Sequence, residues 1–291
     1  MTQRIGFIGA GMMGSGICKS LLKAGFPLAV IAHRNRGPID ELVKLGAKEA
    51  KSTTDLAANA DVIMLCVDRA ETVEAIMAGL ASGLRSGQYV IDITTGKPET
   101  SKKLATALKA KGVTYIDAPV TGAPTHAAAG QLASMVGAEP GVFEAVKPIL
   151  GAYNAQALLF GPIGAGITAK LLNNFVTQST CQVITQAYRA ARRHGVDWDK
   201  LYNTMLKGAA RSGSLERIIG AALQGNYKGQ QFSIANACKD IDYAGALVAG
   251  DPDGARIQAA VLAALQRPVD AGLGDRFVSE MLDPEVERQA S

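Results

Sequence analysis

The sequence has few aromatic residues, no closely spaced cysteine pair and no long apolar run, and each shortage excludes a class of protein. Aromatic residues make up 5% of the 291 residues, so the core is built mainly from Ala, Val, Ile and Leu. The cysteines Cys18, Cys66, Cys181 and Cys238 include no C-x-x-C pair, which indicates reduced, buried thiols rather than a disulfide or metal site. No apolar run reaches the roughly 18 residues of a membrane span, so no membrane partner is expected.

An excess of charge is also lacking. The net charge is +4, from 30 basic and 26 acidic residues, and no basic run is present, so a nucleic-acid partner is not expected. The mild positive charge suits small anionic ligands. The chain enters its first strand at Arg4 without the cationic and apolar regions of a signal peptide, so we expect a cytoplasmic protein.

The first half of the chain alternates short apolar runs with helical patterns. The runs are β-branched and nearly continuous in apolar character, as parallel strands covered on both faces are. This alternation predicts a doubly wound α/β domain. The predicted strands are Arg4–Gly9, Leu28–His33, Val62–Val67, Tyr89–Thr94, Thr114–Pro119, Leu132–Gly137 and Ala157–Phe160.

The second half carries helical patterns and almost no strand candidates. We therefore predict a dinucleotide-binding domain over residues 1–163 and an all-α domain for substrate binding and oligomerisation over residues 164–291. The polar end of the chain, DPEVERQAS, is predicted to fray. The predicted helices are Ile167–His194, Trp198–Lys207, Ser214–Ala222, Ile234–Val248, Ala255–Ala271 and Arg276–Met281.

The segment GAGMMG follows the first strand and opens a helix, which is the setting of a G-x-G-x-x-G dinucleotide motif. Gly9 permits a tight turn, Gly11 lets the backbone approach a pyrophosphate, and Gly14 allows close helix–strand packing. The alternative is an ordinary glycine-rich turn. The predicted phosphate-binding residues are Gly9, Ala10, Gly11, Met12, Met13 and Gly14.

The end of the second strand bears on cofactor choice. NAD-binding proteins usually place Asp or Glu there, but this chain reads AHRNR and has no carboxylate before Asp40. Arg34, beside His33 and with help from Arg36, would attract a 2′-phosphate. The pattern predicts NADP(H), with NAD(H) as the weaker alternative; the competing interpretation is that these arginines only face solvent.

Other candidate residues lie where strands of the sheet end. Val67 ends the third predicted strand, and Thr95 follows the fourth, in ITTGKP. Ligands bind at the carboxyl edge of such sheets, so both are predicted to contact the cofactor. The alternative for Thr95 is that it caps the helix starting near Pro98.

The segment DAPVTGAP is predicted to end a strand at Pro119 and then turn. The turn would present the backbone amides of Thr121, Gly122 and Ala123, which can form a nest for an anion such as a substrate carboxylate. An ordinary glycine-containing turn explains these residues equally well.

The segment GAGITAKLLNN carries one lysine and two asparagines at the start of an apolar helix. Lys170 and Asn174 are four residues apart and Asn173 is three from Lys170, so all three can face one site. A lysine beside an amide suits proton donation to a carbonyl oxygen. The alternative is a structural salt bridge.

Taken together, these motifs resemble the β-hydroxyacid dehydrogenase family, which includes 3-hydroxyisobutyrate dehydrogenases and semialdehyde reductases. The resemblance covers almost the whole chain and rests on GFIGAGMMG, DITTGKP, DAPVTGAPTHAAAGQL, GPIGAGITAKLLNN and KDIDYA. It implies that Lys170 is the catalytic lysine, with Asn173 and Asn174 as the two asparagines that follow it.

The resemblance also implies further site residues. Thr121, Gly122 and Ala123 match the family's Ser-Gly-Gly substrate loop, with Ala123 in place of a glycine. Thr95 matches a threonine near the nicotinamide, and Lys239 matches a lysine near cofactor and substrate at the domain interface. Asp240 could pair with either lysine or cap a helix turn.

The resemblance implies an NADP(H)-dependent enzyme that interconverts a short β-hydroxyacid and its semialdehyde or ketoacid. The expected partner is a small carboxylate-bearing substrate, and the expected assembly is a homodimer or homotetramer. One alternative is an imine reductase or reductive aminase on the same scaffold, which Lys170 and the carboxylate-type loop disfavour. The other is a non-catalytic dinucleotide-sensing module, which would have no reason to keep Lys170, Asn174 and Lys239.

Overall fold

The computed structural model describes residues 2–33 and 35–290. The chain forms two compact units, Met1–Lys170 and Leu171–Ser291. The division falls inside a single long helix, seven residues beyond the boundary predicted after residue 163.

The first unit is built around a nine-stranded sheet with the order β3-β2-β1-β4-β5-β6-β8-β7, in which β9 pairs with β8. Strands β1 to β6 run parallel, β8 is antiparallel to β6 and β7, and β9 is parallel to β8. The strands are β1 (Ile5–Ile8), β2 (Leu28–Val30), β3 (Lys48–Glu49), β4 (Val62–Leu65), β5 (Tyr89–Asp92), β6 (Thr114–Asp117), β7 (Val120–Thr121), β8 (Leu132–Gly137) and β9 (Asn154–Gly161).

Helices connect these strands and cover the sheet. The core falls into two separate apolar clusters, one containing Phe7 and Met64 and the other Ile63 and Leu65. Neighbouring residues of one strand point to opposite faces, so both faces of the sheet are buried, and the predicted doubly wound fold is confirmed. The helices are α1 (Met12–Lys23), α2 (Gly37–Lys44), α3 (Thr53–Asn59), α4 (Ala70–Leu80), α5 (Pro98–Lys109), α6 (Pro124–Ala129) and α7 (Pro140–Gly151).

The second unit is helical, as predicted, and begins within α8. It has two apolar clusters, one around Ile241 and Leu265 and the other around Tyr188 and Ile218. None of the helices described is long and apolar enough to cross a membrane. The remaining helices are α8 (Ala165–Arg193), α9 (Trp198–Met205), α10 (Gly213–Ala222), α11 (Ile234–Val248), α12 (Pro252–Asp270), a 3₁₀ helix (Val278–Leu282) and α13 (Pro284–Gln289).

The polar end of the chain is more ordered than predicted. Helix α13 begins after Asp283, whose carboxylate accepts a hydrogen bond from the amide of Glu285 at 2.9 Å. The side chain of Val286 is buried. A capping carboxylate and one buried apolar residue therefore hold a short helix where fraying was predicted.

Candidate active site

The three motif glycines of the loop after β1 have different surroundings. Gly9 has a φ of +105°, and a Cβ there would lie 2.2 Å from the carbonyl oxygen of Cys66. A Cβ on Gly14 would lie 2.0 Å from the carbonyl oxygen of Gly9. A Cβ on Gly11, by contrast, would meet nothing within 4 Å. Gly9 and Gly14 are therefore fixed by packing, whereas Gly11 leaves open space for a ligand.

Helix α1 presents its first-turn amides beside that open space. It starts at Met12, after an N-cap glycine that has no side chain to bond those amides. Ala10 and Met13 pack against the core, while Met12 is 67% exposed. An anion suits such a helix N-terminus, so the loop fits the phosphates of a dinucleotide.

The loop after β2 lies where the adenosine end of a dinucleotide is expected. His33 is exposed, and Arg34 lies outside the described residues. The guanidinium of Arg36 donates two hydrogen bonds to Glu49, at 3.0 and 2.8 Å, and lies 3.1 Å from Asp40. Arg36 is therefore already paired with two carboxylates. Glu49 was missed because a two-residue exposed strand gives no apolar pattern.

The ends of β4 and β5 are joined by a hydrogen-bonded threonine. Thr94 donates its amide to Asp92 at 2.9 Å, and its hydroxyl accepts the amide of Val67 at 3.1 Å. Thr95, the predicted cofactor contact, follows directly and is half-buried. Lys97 is the N-cap residue of α5, so Thr95 does not occupy the N-cap position. The hydrogen bonds of Thr94 therefore connect the carboxyl ends of β4 and β5, where Val67 and Thr95 lie.

The predicted substrate loop differs from the turn expected after Pro119. Thr121 lies in the short strand β7 and pairs with Ala133. Gly122 has a φ of +136°, a backbone conformation that glycine adopts readily. The amide of Ala123 donates to Nδ1 of His126 at 2.9 Å, and the antiparallel pairing of β7 with β8 engages the amide of Thr121. Two of the three proposed anion-binding amides therefore already have partners. The prediction overlooked both β7 and His126.

The start of α8 is fixed to the sheet by a buried carboxylate. Asp117, the last residue of β6, accepts hydrogen bonds from the amides of Gly164 at 2.7 Å and Ile167 at 2.8 Å. Burial raises the pKa of Asp117 to about 6; the two amides oppose that rise, and the charge of Asp92 adds to it. Lys170, three residues after Ile167, is only 8% exposed. The backbone of Lys170 therefore lies in the first turns of α8, which the hydrogen bonds to Asp117 fix to the sheet.

Gly166 serves this close approach of helix and sheet. A Cβ on Gly166 would lie 2.3 Å from the carbonyl oxygen of Met135 and 2.8 Å from the amide nitrogen of Gly137. This glycine is needed because α8 packs directly on β8.

In the second unit, the remaining predicted polar residues form one network. The amide of Asn174 donates to Asp240 at 2.6 Å, and the ammonium of Lys239 lies 3.1 Å from the same carboxylate. Asn173 donates to the side-chain oxygen of Asn174 at 3.2 Å. Of the pairings considered for Asp240, the one with Lys239 is present, together with an unforeseen bond to Asn174. Asp240 lies inside α11 and therefore caps no helix end.

Comparison with protein families gives matches to both halves of the chain. A model of the NAD binding domain of 6-phosphogluconate dehydrogenase matches residues 4–161. A model described as the NAD-binding of NADP-dependent 3-hydroxyisobutyrate dehydrogenase matches residues 164–284. The two matches together cover the Rossmann-type unit and most of the helical unit.

Curated relatives align over most of their length. An uncharacterized oxidoreductase of Bacillus subtilis, YkwC, is 33% identical over 84% of this chain and 85% of its own. The 2-hydroxy-3-oxopropionate reductase of Escherichia coli is 30% identical over 83% of each chain.

Solved structures share the fold over nearly the whole chain. Psf3, in complex with NADP+ and 2-OPP, has a TM-score of 0.84 and 26% identity, over 96% of this chain and 98% of its own. The 3-hydroxyisobutyrate dehydrogenase of Mycobacterium tuberculosis, with L-serine, has a TM-score of 0.87 at 22% identity, over 97% and 98%. An imine reductase from Myxococcus stipitatus is more distant, with a TM-score of 0.66 at 19% identity over the full length of both chains.

Proposed function

The chain belongs to the β-hydroxyacid dehydrogenase family and is an NAD(P)-dependent oxidoreductase, and we propose that it interconverts a short β-hydroxyacid and its semialdehyde or ketoacid. When bound, the reduced nicotinamide supplies a hydride to the carbonyl carbon. Lys170 supplies the proton to the carbonyl oxygen, and in the reverse direction its neutral amine takes the hydroxyl proton. The observation that carries this proposal is a buried lysine on the anchored first turns of α8.

The asparagines and Lys239 have supporting roles in this proposal. An ionised Asp240 bonded to Asn174 fixes the orientation of that amide, because only its NH₂ group can donate to the carboxylate. The side-chain oxygen of Asn174 is thereby kept as an acceptor, and Asn173 occupies one of its lone pairs. We assign Asn174 to orient Lys170 or the substrate, and Lys239 to neutralise Asp240 and bind the anionic substrate or cofactor.

The substrate carboxylate binds at the loop Thr121–Gly122–Ala123 in this proposal. Backbone amides in a turn attract anions, and hydrogen bonds to a charged group contribute about 1.5–3 kcal/mol each. A semialdehyde should therefore exceed its uncharged aldehyde analogue by at least about tenfold in kcat/KM. The positive φ of Gly122 supports an anion-binding turn at this residue, whereas the amide of Thr121 is engaged in β7 and that of Ala123 must first be released from His126.

The proposed cofactor is NADP(H). The segment after β2 lacks the carboxylate that would repel a 2′-phosphate, and Arg34 supplies a guanidinium that can donate two parallel hydrogen bonds to it. Arg36 is paired with Glu49 and Asp40. It would have to break both ion pairs to bind the 2′-phosphate, and this supports Arg34 as the phosphate ligand.

We also propose a homodimer or homotetramer that forms through the helical unit. Leu172, Val176 and Val183 of α8 are exposed, Val176 and Val183 at 68% each. Their spacing of four and seven residues places them on one helix face. Light scattering on the wild type and on Val176→Glu would test this, because a charge on that face should lower the mass to that of a monomer.

A substrate panel tests the proposed function as a whole. NADPH oxidation would be measured with 2-hydroxy-3-oxopropionate, glyoxylate, succinic semialdehyde, butanal and a cyclic imine at matched concentrations. The proposal predicts the highest kcat/KM for one of the three acids. Preferential reduction of the imine would favour the imine reductase alternative, and no turnover with any carbonyl compound would favour a dinucleotide-sensing protein.

A further inference from the structure

His126 lies directly against the loop that we assign to the substrate carboxylate. It is the third residue of α6, and its Nδ1 accepts the amide of Ala123, the N-cap residue, at 2.9 Å. A Cβ on Gly122 would lie 3.4 Å from the Cβ and 3.6 Å from Nδ1 of His126. The imidazole therefore lies beside Gly122 and accepts the amide of Ala123.

That hydrogen bond requires a neutral ring. A backbone amide can donate only to an unprotonated ring nitrogen, so the geometry assigns the proton of the neutral ring to Nε2. When the ring is protonated, both of its nitrogens are donors, and the bond to Ala123 is lost. The protonation state of His126 therefore decides whether the Ala123 amide is available to another acceptor.

We propose that His126 determines how tightly the loop binds a substrate carboxylate: the neutral ring occupies the Ala123 amide, and the protonated ring releases that amide and adds a positive charge beside it. This inference rests on the proposed role of Thr121–Ala123 in carboxylate binding. The substrate carboxylate then takes the place of Nδ1 as the acceptor, and one proton is taken up by His126 on binding.

Few ionisable groups lie on the elements packed against His126. Helix α6 packs on α1, where Ser20 donates to the carbonyl of Ala127 at 2.8 Å. The ionisable residues of α1 are Cys18, Lys19 and Lys23. Burial raises the pKa of the Cys18 thiol, and Lys19 pairs with Glu41 at 2.7 Å. Strands β7 and β8 contain no ionisable residue.

The coupling between protonation of His126 and binding of the substrate carboxylate has a defined direction. Because carboxylate binding favours the protonated ring, protonation must favour carboxylate binding by the same factor. The KM for succinic semialdehyde should therefore fall by at least about threefold from pH 8 to pH 6, a range in which the substrate remains ionised. The KM for butanal, which has no carboxylate, should not change in parallel.

Two variants hold the loop in its two states. The amide oxygen of His126→Asn can accept from Ala123 at every pH, so the KM for succinic semialdehyde should be high and independent of pH. His126→Ala leaves the amide available at every pH, so the KM should be lower than in the Asn variant and equally flat. His194→Ala, at an exposed histidine after α8, is the matched control and should keep the pH dependence of the wild type.

A binding measurement checks the same point without turnover. The chain has three histidines, so the NMR signal of His126 can be identified by its loss in His126→Asn. Saturating succinate should move the titration midpoint of that signal to higher pH in the wild type. An unchanged midpoint would overturn the proposal.

The kinetic outcomes separate this inference from the proposed function. Equal kcat/KM for succinic semialdehyde and butanal in the wild type would overturn the carboxylate loop itself. A clear carboxylate preference with a flat pH profile, or with identical KM values for the Asn and Ala variants, would overturn only the role of His126.

Discussion

Asp117 accepts a hydrogen bond from the amide of Ile167 at 2.8 Å, and so joins the end of β6 to the first turn of the helix that carries Lys170. A second bond, from Gly164 at 2.7 Å, occupies its other oxygen. Burial raises the pKa of this carboxyl more than the two amide hydrogen bonds lower it. The contact that positions the proposed acid is therefore also a site of pH-dependent stability.

The stability of the fold should fall as pH rises through the titration of Asp117. Its folded-state pKa is raised to about 6 from 3.8, so the native state binds more protons than the unfolded state between these values. Stability from the protonated form is fully present below about pH 4 and lost through pH 6, by about 2–3 kcal/mol. Asp117→Asn lacks this titration, so the free energy of unfolding of the variant, relative to that of the wild type, should rise by about 2 kcal/mol between pH 4.5 and 7. Urea unfolding at both pH values measures it, and a constant difference would contradict the assignment.

Two glycines of the phosphate loop should respond differently to the same substitution. Gly11→Ala places its methyl in open space, so the variant should fold with wild-type stability but bind NADPH at least about tenfold more weakly, because the methyl blocks the pyrophosphate. Gly14→Ala places its methyl against the carbonyl oxygen of Gly9 and should lower the Tm. Calorimetry and fluorescence titration test both, and a Gly11→Ala protein with unchanged NADPH affinity would contradict the loop assignment.

Removing the carboxylate of Asp240 should destabilise the helical unit. This buried group accepts from Asn174 and pairs with Lys239, and hydrogen bonds to charged groups contribute about 1.5–3 kcal/mol. Asp240→Ala should lower the free energy of unfolding by about that amount or more. Asp253→Ala, which breaks an exposed pair with Arg256, is the control and should cost about 1 kcal/mol or less. Similar losses of unfolding free energy in the two variants would show that the Asp240 network stabilises the fold no more than an exposed ion pair does.

Arg34 should account for most of the preference between the two cofactors. One charged contact to the 2′-phosphate is worth about 1.5–3 kcal/mol, so NADPH should bind at least about tenfold tighter than NADH. Arg34→Ala should remove most of that gap and leave NADH binding unchanged. Equal Kd values for the two cofactors in the wild type, or equal weakening of both in the variant, would contradict the preference for NADP(H).

Much of the architecture could be predicted because long elements carry strong apolar patterns. The bounds of β8 and α11 match the prediction at both ends, since Gly137 and Ser233 mark a strand end and a helix cap. Strands β3 and β7 were missed because two residues are too few to show alternation. Helix α6 was also overlooked, because its alanines carry no apolar stripe of their own.

The candidate site was only partly predictable, since two of its contacts depend on the folded structure. Asn174 and Asp240 are 66 residues apart, and no local pattern indicates that they meet. The bond from Ala123 to His126 spans three residues, but it forms only because Ala123 caps a helix that the sequence did not reveal. Motif spacing identified the polar residues, and tertiary packing determined which of them are hydrogen-bonded.

The measurement that tests the central claim most directly is the kcat of Lys170→Ala with the best acid substrate. General acid catalysis contributes about 10²- to 10⁴-fold, so kcat should fall at least about a hundredfold, while the Kd for NADPH stays within about threefold. Lys147→Ala, which removes an exposed lysine paired with Glu144, should retain wild-type kcat. A Lys170→Ala protein that keeps more than about a tenth of wild-type kcat would contradict the assignment of Lys170 as the proton donor.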